Sequence, residues 1–182
     1  MIPTAHAQKI VLHRDVVAIR VPDGTPTSLR SGDEVTITQE LGSSYTLSCP
    51  GGYMVRLDAV DADAIGRIAK DLPGAHHLGP ITKDVVYRQL ETVYDPEIPV
   101  NVVDLGLIYT CDINIKDNGY DVRIEMTLTA PGCGMGPVLQ DDVHRKVAAL
   151  PGVVNVDVEL VFDPPWDREM MSEVARLELG MM

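Results

Sequence analysis

The sequence has few aromatic residues and no long apolar run, and each shortage narrows the class of protein. Phenylalanine, tyrosine and tryptophan make up 4% of the 182 residues, so the core has to be built from aliphatic side chains. No apolar stretch approaches the roughly 20 residues that a membrane-spanning helix needs. The N-terminus shows no basic segment followed by an apolar one, so we expect no signal peptide and a cytoplasmic protein.

Basic residues are also in short supply. Lys and Arg number 15 and Asp and Glu number 27, which gives a formal net charge of −12. Because such a charge repels phosphate groups, we expect neither nucleic acid nor an anionic membrane among the partners. Solubility is a sufficient reason for most of this charge.

Cysteine is scarce and scattered. Cys49, Cys111 and Cys133 lie far apart and form no C-x-x-C pair. An odd, sparse set predicts neither a disulfide framework nor a zinc site, and it suits a reducing compartment. The paired His76 and His77 lie between proline and glycine residues, which favours a linker over a metal site.

Residues 1–74 predict a small β-rich unit with one short helix. Short alternating apolar segments, separated by turns rich in glycine and proline, are typical of a small barrel or sandwich. The alternating residues are Val17, Ile19 and Val21; Val35 and Ile37; Tyr45 and Leu47; and Val55 and Leu57. A helix is predicted over residues 61–72, with Asp61 as its cap and Ile65, Ile68 and Leu72 on its apolar face. Residues 75–81 follow as a linker.

Residues 82–182 predict an α+β domain with two layers and its helices on one face of the sheet. The expected order is helix, β-hairpin, helix, strand and tail helix. The first helix spans about 82–94, with Thr82 as its cap. Asn118-Gly119 predicts a hairpin that pairs a strand over 107–115 with one over 120–129.

The remaining elements follow from a change of period. Leu139, Val143, Val147 and Leu150 recur at helical spacing, which predicts a helix over 137–149. A third strand is predicted where apolar residues alternate again: Val154, Val156, Val158, Leu160 and Phe162. The strand–helix–strand passage requires a crossover, expected to be right-handed. A tail helix is predicted over 171–179, and Trp166 before it is interpreted as a packing anchor, with an interface role second.

The most distinctive segment is a glycine-rich turn around Cys133, between the second strand of the hairpin and the next helix. Unpaired backbone N–H groups and the positive end of the helix dipole favour a thiolate at this place. Asp141 and Asp142 act in the opposite direction, so the net sign stays open. A packed cysteine at a loop corner is the alternative. The surrounding glycine and proline favour a functional thiol.

Three carboxylates lie between the first helix and the hairpin: Asp95, Glu97 and Asp104. Turn formation and capping explain such residues next to proline and glycine, and paired acid–base chemistry is the alternative. Asp104 introduces the strand that pairs with the one ending at Thr129. Both residues can therefore reach one pocket.

Together these segments resemble the metal–sulfur cluster assembly domain shared by SufT-type and PaaD-type proteins. The resemblance covers about residues 82–167 and rests on four boxes: Asp95-Pro-Glu97, Val103-Asp-Leu-Gly-Leu107, Thr129-x-x-x-Cys133 and Leu150-Pro-Gly-Val153. The N-terminal unit, the form of the glycine-rich loop and Pro164-Pro-Trp166 followed by Met170-Met171 extend it to the stand-alone SufT type.

The resemblance implies an α+β domain and an accessory role in iron–sulfur cluster assembly or transfer to client apoproteins, without enzymatic turnover. It carries the role of metal ligand onto Cys133 and binding roles onto Asp104 and Thr129, with Glu97 as a fourth position. It also implies scaffold proteins and client apoproteins as partners, and iron or an iron–sulfur cluster as transient cargo.

One cysteine is too few to hold a cluster, since clusters commonly take four thiolates. A homodimer, exogenous thiols, carboxylates or a partner's cysteines would have to supply the rest. Two alternatives stay open: an adaptor in which Cys133 is merely packed, and a thiol enzyme. The enzyme is the weakest, because a cysteine nucleophile usually needs a nearby base and His144 falls eleven residues later within the helix.

Overall fold

The computed structural model describes residues 8–181, and the chain divides between Leu72 and Pro73 into two compact units. Residues 1–7 and Met182, which the predicted domain limits include, lie outside the described residues. Each unit has its own apolar core. In the described part of the chain no helix is long and apolar enough to cross a membrane.

The first unit is built around one antiparallel sheet of six strands. The strands are β1 (Gln8–Val11), β2 (Val16–Val21), β3 (Pro26–Leu29), β4 (Glu34–Leu41), β5 (Ser44–Ser48) and β6 (Met54–Asp58). They are ordered β1-β4-β5-β6-β2-β3 across the sheet. Leu47, Val55 and Leu57 are fully buried at its centre, so the predicted aliphatic core is present.

The predicted face of β2 is wrong by one residue. Val16 and Ala18 are buried, whereas Val17 is 59% exposed. A shift of one residue exchanges the two faces of a strand, because side chains alternate with a period of two. Arg20 lies on the same face as Val16 and Ala18 and favours the opposite face for the core, but its side chain is exposed at the end of the strand.

The predicted helix over 61–72 is also wrong in its limits. The structure has a 3-10 helix at Ala59–Ile65, and Asp58 caps it by accepting a hydrogen bond from the N–H of Val60 at 3.1 Å. Gly66 ends it in the left-handed region with φ 70°. Ile68, expected on the apolar face, is 86% exposed.

The second unit has the predicted α+β organisation. Its elements are α1 (Lys83–Leu90), β7 (Ile108–Lys116), β8 (Gly119–Met126), α2 (Gly136–Ala148), β9 (Val153–Leu160), a 3-10 helix (Arg168–Met170) and α3 (Glu173–Glu178). β7 pairs antiparallel with β8, and β8 pairs parallel with β9, as a crossover through α2 requires. Val122 and Ile124 of the sheet share one buried cluster with Val86 and Val143 of the two longer helices.

The hairpin forms where it is predicted, with a turn one residue earlier. Lys116 pairs with Gly119, so Asp117 and Asn118 are the two loop residues. Cys111 is buried in the core. Ile115, four residues later and therefore on the same face of the strand, is 81% exposed beside the turn, at the end of the hairpin that the core does not reach.

Several elements are shorter than predicted. Thr82 does cap α1, but the helix ends at Leu90, where a tight turn lets Val93 N–H donate to the Leu90 carbonyl at 2.9 Å. In β9 the central valines are buried, whereas Leu160 is only partly buried and Phe162 is 46% exposed beyond the strand end. Trp166 packs against the core, as a packing anchor should.

Candidate functional site

The loop between β8 and α2 holds Cys133 two residues before the helix cap. Cys133 is half-buried, and its carbonyl accepts a hydrogen bond from the N–H of Gly136 at 3.0 Å. Met135 occupies the cap position and is buried, while Pro137 lies in the first turn of the helix. A thiol in this loop is anchored by the backbone yet keeps part of its surface open.

The other two cysteines are buried. Cys49 is 5% exposed and Cys111 is 3% exposed, so each is a core residue of its unit. Burial raises the pKa of the Cys49 thiol and of the Cys111 thiol. All three cysteines lie within residues 8–181, and only Cys133 is accessible to a partner or a ligand.

Asp142 lies in the middle of α2, not in its first turn, and does not act as a free negative charge there. Its carboxylate is buried and accepts from Arg145 at 2.9 Å and pairs with Lys146 Nζ at 3.4 Å, both further along the helix. The two cations compensate its charge. Of the two carboxylates expected to oppose a thiolate, only Asp141 is exposed.

Asp104 lies in a loop that is organised by the side chain of Asn101. Asn101 Oδ1 accepts hydrogen bonds from the N–H groups of Val103 and Asp104, and its Nδ2 donates to Asp104 Oδ2 at 2.6 Å. Asp104 is half-buried, so one carboxylate oxygen is held while the side chain keeps access to solvent. Sequence reasoning missed Asn101, although an asparagine three residues before an aspartate is a recognisable turn signal.

The backbone brings the segment after Asp104 beside the segment before Thr129. The carbonyl of Leu107 accepts from the N–H of Thr127 at 2.9 Å, and Ile108 pairs in register with Met126. Thr129 is half-buried and follows the end of β8, which stops three residues earlier than predicted. Whether the side chains of these candidates meet in one pocket stays a prediction.

Glu97 lies in an exposed turn whose shape is set by Asp95. Asp95 is buried, and its Oδ1 accepts from the N–H groups of Glu97 and Ile98, each at 2.9 Å. Burial raises the pKa of the Asp95 carboxyl, and the two backbone donors partly offset that rise. Asp95 therefore forms the turn, while Glu97 keeps its carboxylate in solvent.

Thr127 is a candidate that sequence reasoning missed. Its side chain is 1% exposed, and within the described residues its Oγ1 has no hydrogen-bond partner. The alternation of β8 predicts an outward position, but the strand ends at Met126, so the period of two no longer applies. A buried hydroxyl without a partner is costly, by about 1–3 kcal/mol. Its position two residues before Thr129 marks it as a group to test.

The family match lies in the second unit. The sequence profile of the family described as "Iron-sulfur cluster assembly protein" matches residues 83–158. A Porphyromonas gingivalis protein named "Fe-S protein maturation auxiliary factor" is 50% identical over 101 residues, which span 56% of this chain and 93% of that protein.

Two further relatives carry related names. The Bacillus subtilis "Fe-S protein maturation auxiliary factor YitW" is 40% identical over 54% of this chain and 94% of its own length. The Staphylococcus aureus "Fe-S protein maturation auxiliary factor SufT" is 40% identical over 49% of this chain and 98% of its own length. With this degree of identity over almost the whole of each relative, the chain belongs to the iron–sulfur cluster assembly protein family.

Proposed function

We propose that this protein is an auxiliary factor in the maturation of iron–sulfur proteins and that Cys133 binds iron or a cluster transiently. The three relatives above are named as maturation auxiliary factors, which supports the pathway. One structural observation carries the ligand role. Cys133 is half-buried in an ordered loop before α2, whereas Cys49 and Cys111 are enclosed in the two cores.

The ligand shell that this chain offers is incomplete. Among residues 8–181 no group of three or more His, Cys, Asp and Glu side chains is placed to hold a metal ion. Since clusters commonly take four thiolates, the missing ligands come from a scaffold protein, a client apoprotein, free thiols or a second copy of the chain. Cargo held by so few ligands is released readily, as transfer between two proteins requires.

The neighbouring candidates have distinct roles in this proposal. Thr129 donates its hydroxyl to the thiolate or to a bound ligand. Asp104, held by Asn101, supplies a carboxylate oxygen to iron or orients the loop. Glu97, on its exposed turn, is a second carboxylate that a partner or an iron ion can reach.

An adaptor without cargo is the second candidate, favoured by the absence of a three-ligand group in the described residues. In that case the protein brings scaffold and client together and Cys133 only packs. A thiol enzyme has less support, because His144 lies on the exposed surface of α2 rather than next to Cys133 in the loop.

Anaerobic reconstitution separates the two candidates. Wild type, Cys133→Ser and the matched control Cys49→Ala are incubated with iron(II), sulfide and a free thiol that supplies the missing ligands. They are then desalted in buffer that contains the same thiol and analysed for iron, sulfide and visible absorption. We expect wild type and Cys49→Ala to retain iron and Cys133→Ser to lose it. If all three retain the same iron, or none retains any, the ligand role is wrong and the adaptor remains.

Alkylation of the native apoprotein tests the accessibility on which the proposal depends. A thiol-reactive reagent should label Cys133 before Cys111, because burial shields Cys111 and raises the pKa of its thiol. Peptide mass spectrometry over a time course gives the two rates. Faster labelling of Cys111 would remove the structural basis of the ligand role.

A further inference from the structure

The C-terminal part of the chain is bonded to the loop that carries Asp104. We call residues 164–172 the tail segment. Trp166 donates its indole Nε1–H to the carbonyl of Leu105 at 2.8 Å, across 61 positions of sequence. Ser172 donates its backbone N–H to the carbonyl of Asp104, also at 2.8 Å. Two consecutive carbonyls of the loop therefore accept hydrogen bonds from the tail segment.

The contact between loop and tail segment is close. Gly106 has φ 71°, and a Cβ atom at this position would collide with the backbone carbonyl of Met170. Only glycine allows this backbone to lie so near. A third hydrogen bond, from Tyr109 Oη to the carbonyl of Pro164 at 2.8 Å, holds the tail segment to β7 outside the Asp104 loop.

Asn101 holds the same loop from the other side. Its side-chain oxygen accepts from the N–H of Asp104 at 2.9 Å, and its backbone carbonyl accepts from the N–H of Leu105 at 3.0 Å. The peptide groups around Asp104 are thus bonded through their N–H groups to Asn101 and through their carbonyls to the tail segment. A carboxylate on a backbone held from both sides has few orientations open to it.

We propose that Trp166 and Ser172 are positioning residues, which hold the Asp104 loop so that the Asp104 carboxylate faces its ligand. The C-terminal tail is then part of the candidate site, acting through Asp104 without touching the cargo. The positioning itself stands on the hydrogen bonds. Its consequence for iron binding rests on the proposed function of Asp104.

Amide hydrogen exchange tests the positioning. Two variants each remove one side-chain hydrogen bond between the tail segment and the rest of the unit. Trp166→Phe keeps an aromatic ring and removes the bond to Leu105. Tyr109→Phe removes a bond of equal length that ends on Pro164 and serves as the matched control. Loss of one hydrogen bond should speed exchange at the N–H of Leu105 about fivefold to tenfold in Trp166→Phe only. Equal exchange in the two variants would overturn the proposal.

Ser172 allows a second comparison that leaves the tryptophan in place. Its φ of −62° suits proline, and proline has no N–H to donate to Asp104. Ser172→Pro and Ser172→Ala both lose the side-chain cap on Ala175 N–H. The proline variant also loses the backbone donor, and its ring Cδ takes the place of that N–H and displaces the Asp104 carbonyl. We expect faster exchange in the Asp104 loop for the proline variant and not for the alanine variant. Identical exchange in both would show that the Ser172 donor does not position the loop.

Iron retention then tests whether positioning matters for the site. Asp104→Asn, Trp166→Phe and the double variant are reconstituted as above, with melting temperatures recorded. We expect each single variant to retain less iron than wild type, and the double variant to retain as much as Asp104→Asn alone. An additive loss in the double variant would show that Trp166 does not act through Asp104. If wild type retains no iron, the proposed function fails and the exchange data alone decide the positioning.

Discussion

The two units differ in where they keep their polar side chains. Among the described residues of the first unit, the buried polar side chains are Ser43 and Ser44, and the ion pair between Arg14 and Asp61 is in solvent. The second unit buries Asp95, Gln89, Thr127, Asp142 and Lys146. Lys146 is completely buried, pairs with Asp142 at 3.4 Å and donates to the carbonyl of Thr92 at 2.7 Å.

The difference indicates that the second unit has features that stability alone does not require. Buried charges are costly unless they are paired and hydrogen-bonded, and a well-packed apolar substitute is often as stable. Among its described residues the first unit buries no charged side chain, which suits a domain that only has to be stable. The second unit uses buried polar groups to join α1 to α2 and to shape the turn at Asp95, and it is this unit that matches the family profile.

Loss of the buried ion pair should have the largest effect. Asp142→Ala leaves the ammonium of Lys146 buried without its carboxylate, which should lower the free energy of unfolding by about 3–5 kcal/mol. Trp166 is the single tryptophan and lies in the second unit, so denaturant unfolding followed by its fluorescence measures the change.

Arg14→Ala is the matched change in the first unit, where the pair is exposed. Exchange of the Leu47 amide, at the centre of that core, should show a much smaller loss of stability. Equal losses in the two units would remove the contrast between them.

A methyl group on Gly106 should have the next largest effect. Gly106→Ala places a non-glycine residue at φ 71°, which costs roughly 1–2 kcal/mol, and adds a collision with the Met170 backbone. Gly132→Ala is the control, because its φ is 79° and nothing lies within 4 Å of the added Cβ. We expect the denaturant midpoint of unfolding to fall further in Gly106→Ala than in Gly132→Ala. Equal midpoints would mean that the tail segment moves away from the added methyl group without loss of stability.

The buried carboxyl of Asp95 should give the second unit a pH dependence. Because burial raises the pKa of Asp95, the folded state binds this proton more tightly than the unfolded state. The stabilising contribution is therefore complete below the unfolded value of about 3.9 and is lost as the pH rises through the raised folded value. Asp95→Asn keeps the acceptor for Glu97 N–H and should make the unfolding midpoint less dependent on pH between pH 3 and pH 8. An unchanged pH dependence would show that Asp95 is not its cause.

Thr127→Val should have a small effect of opposite sign. The Thr127 hydroxyl is buried without a partner in the described chain, so its replacement by a methyl group should leave the stability unchanged or raise it, within about 1 kcal/mol. The urea midpoint gives the answer. A clear loss of stability would show that the hydroxyl has a structural partner.

Removal of the first unit should change the second unit least. A fragment that begins at Pro73 keeps the carbonyl that accepts from Gln89, together with the whole core of the second unit. Its unfolding midpoint by Trp166 fluorescence should equal that of the full chain. A lower midpoint, or a transition without cooperativity, would show that the two units depend on each other.

The sequence by itself determined the features that depend on neighbours along the chain. Thr82 caps α1, the hairpin turns within residues 116–119, and Pro137 lies in the first turn of α2, because capping and turn formation act within a few residues. The same local signals place Cys133 in a loop before a helix, while the family was identified by the resemblance of the four sequence boxes.

Tertiary structure decided the features for which both local alternatives were acceptable. β2 has apolar residues on both faces, and packing against the neighbouring strands selects Val16 and Ala18 for the core although Arg20 lies on their face. Thr127 is buried because β8 ends one residue before it. The bond from Trp166 to Leu105 joins positions 61 residues apart, and such a contact is specified by the packing of the whole unit and not by any neighbour in sequence.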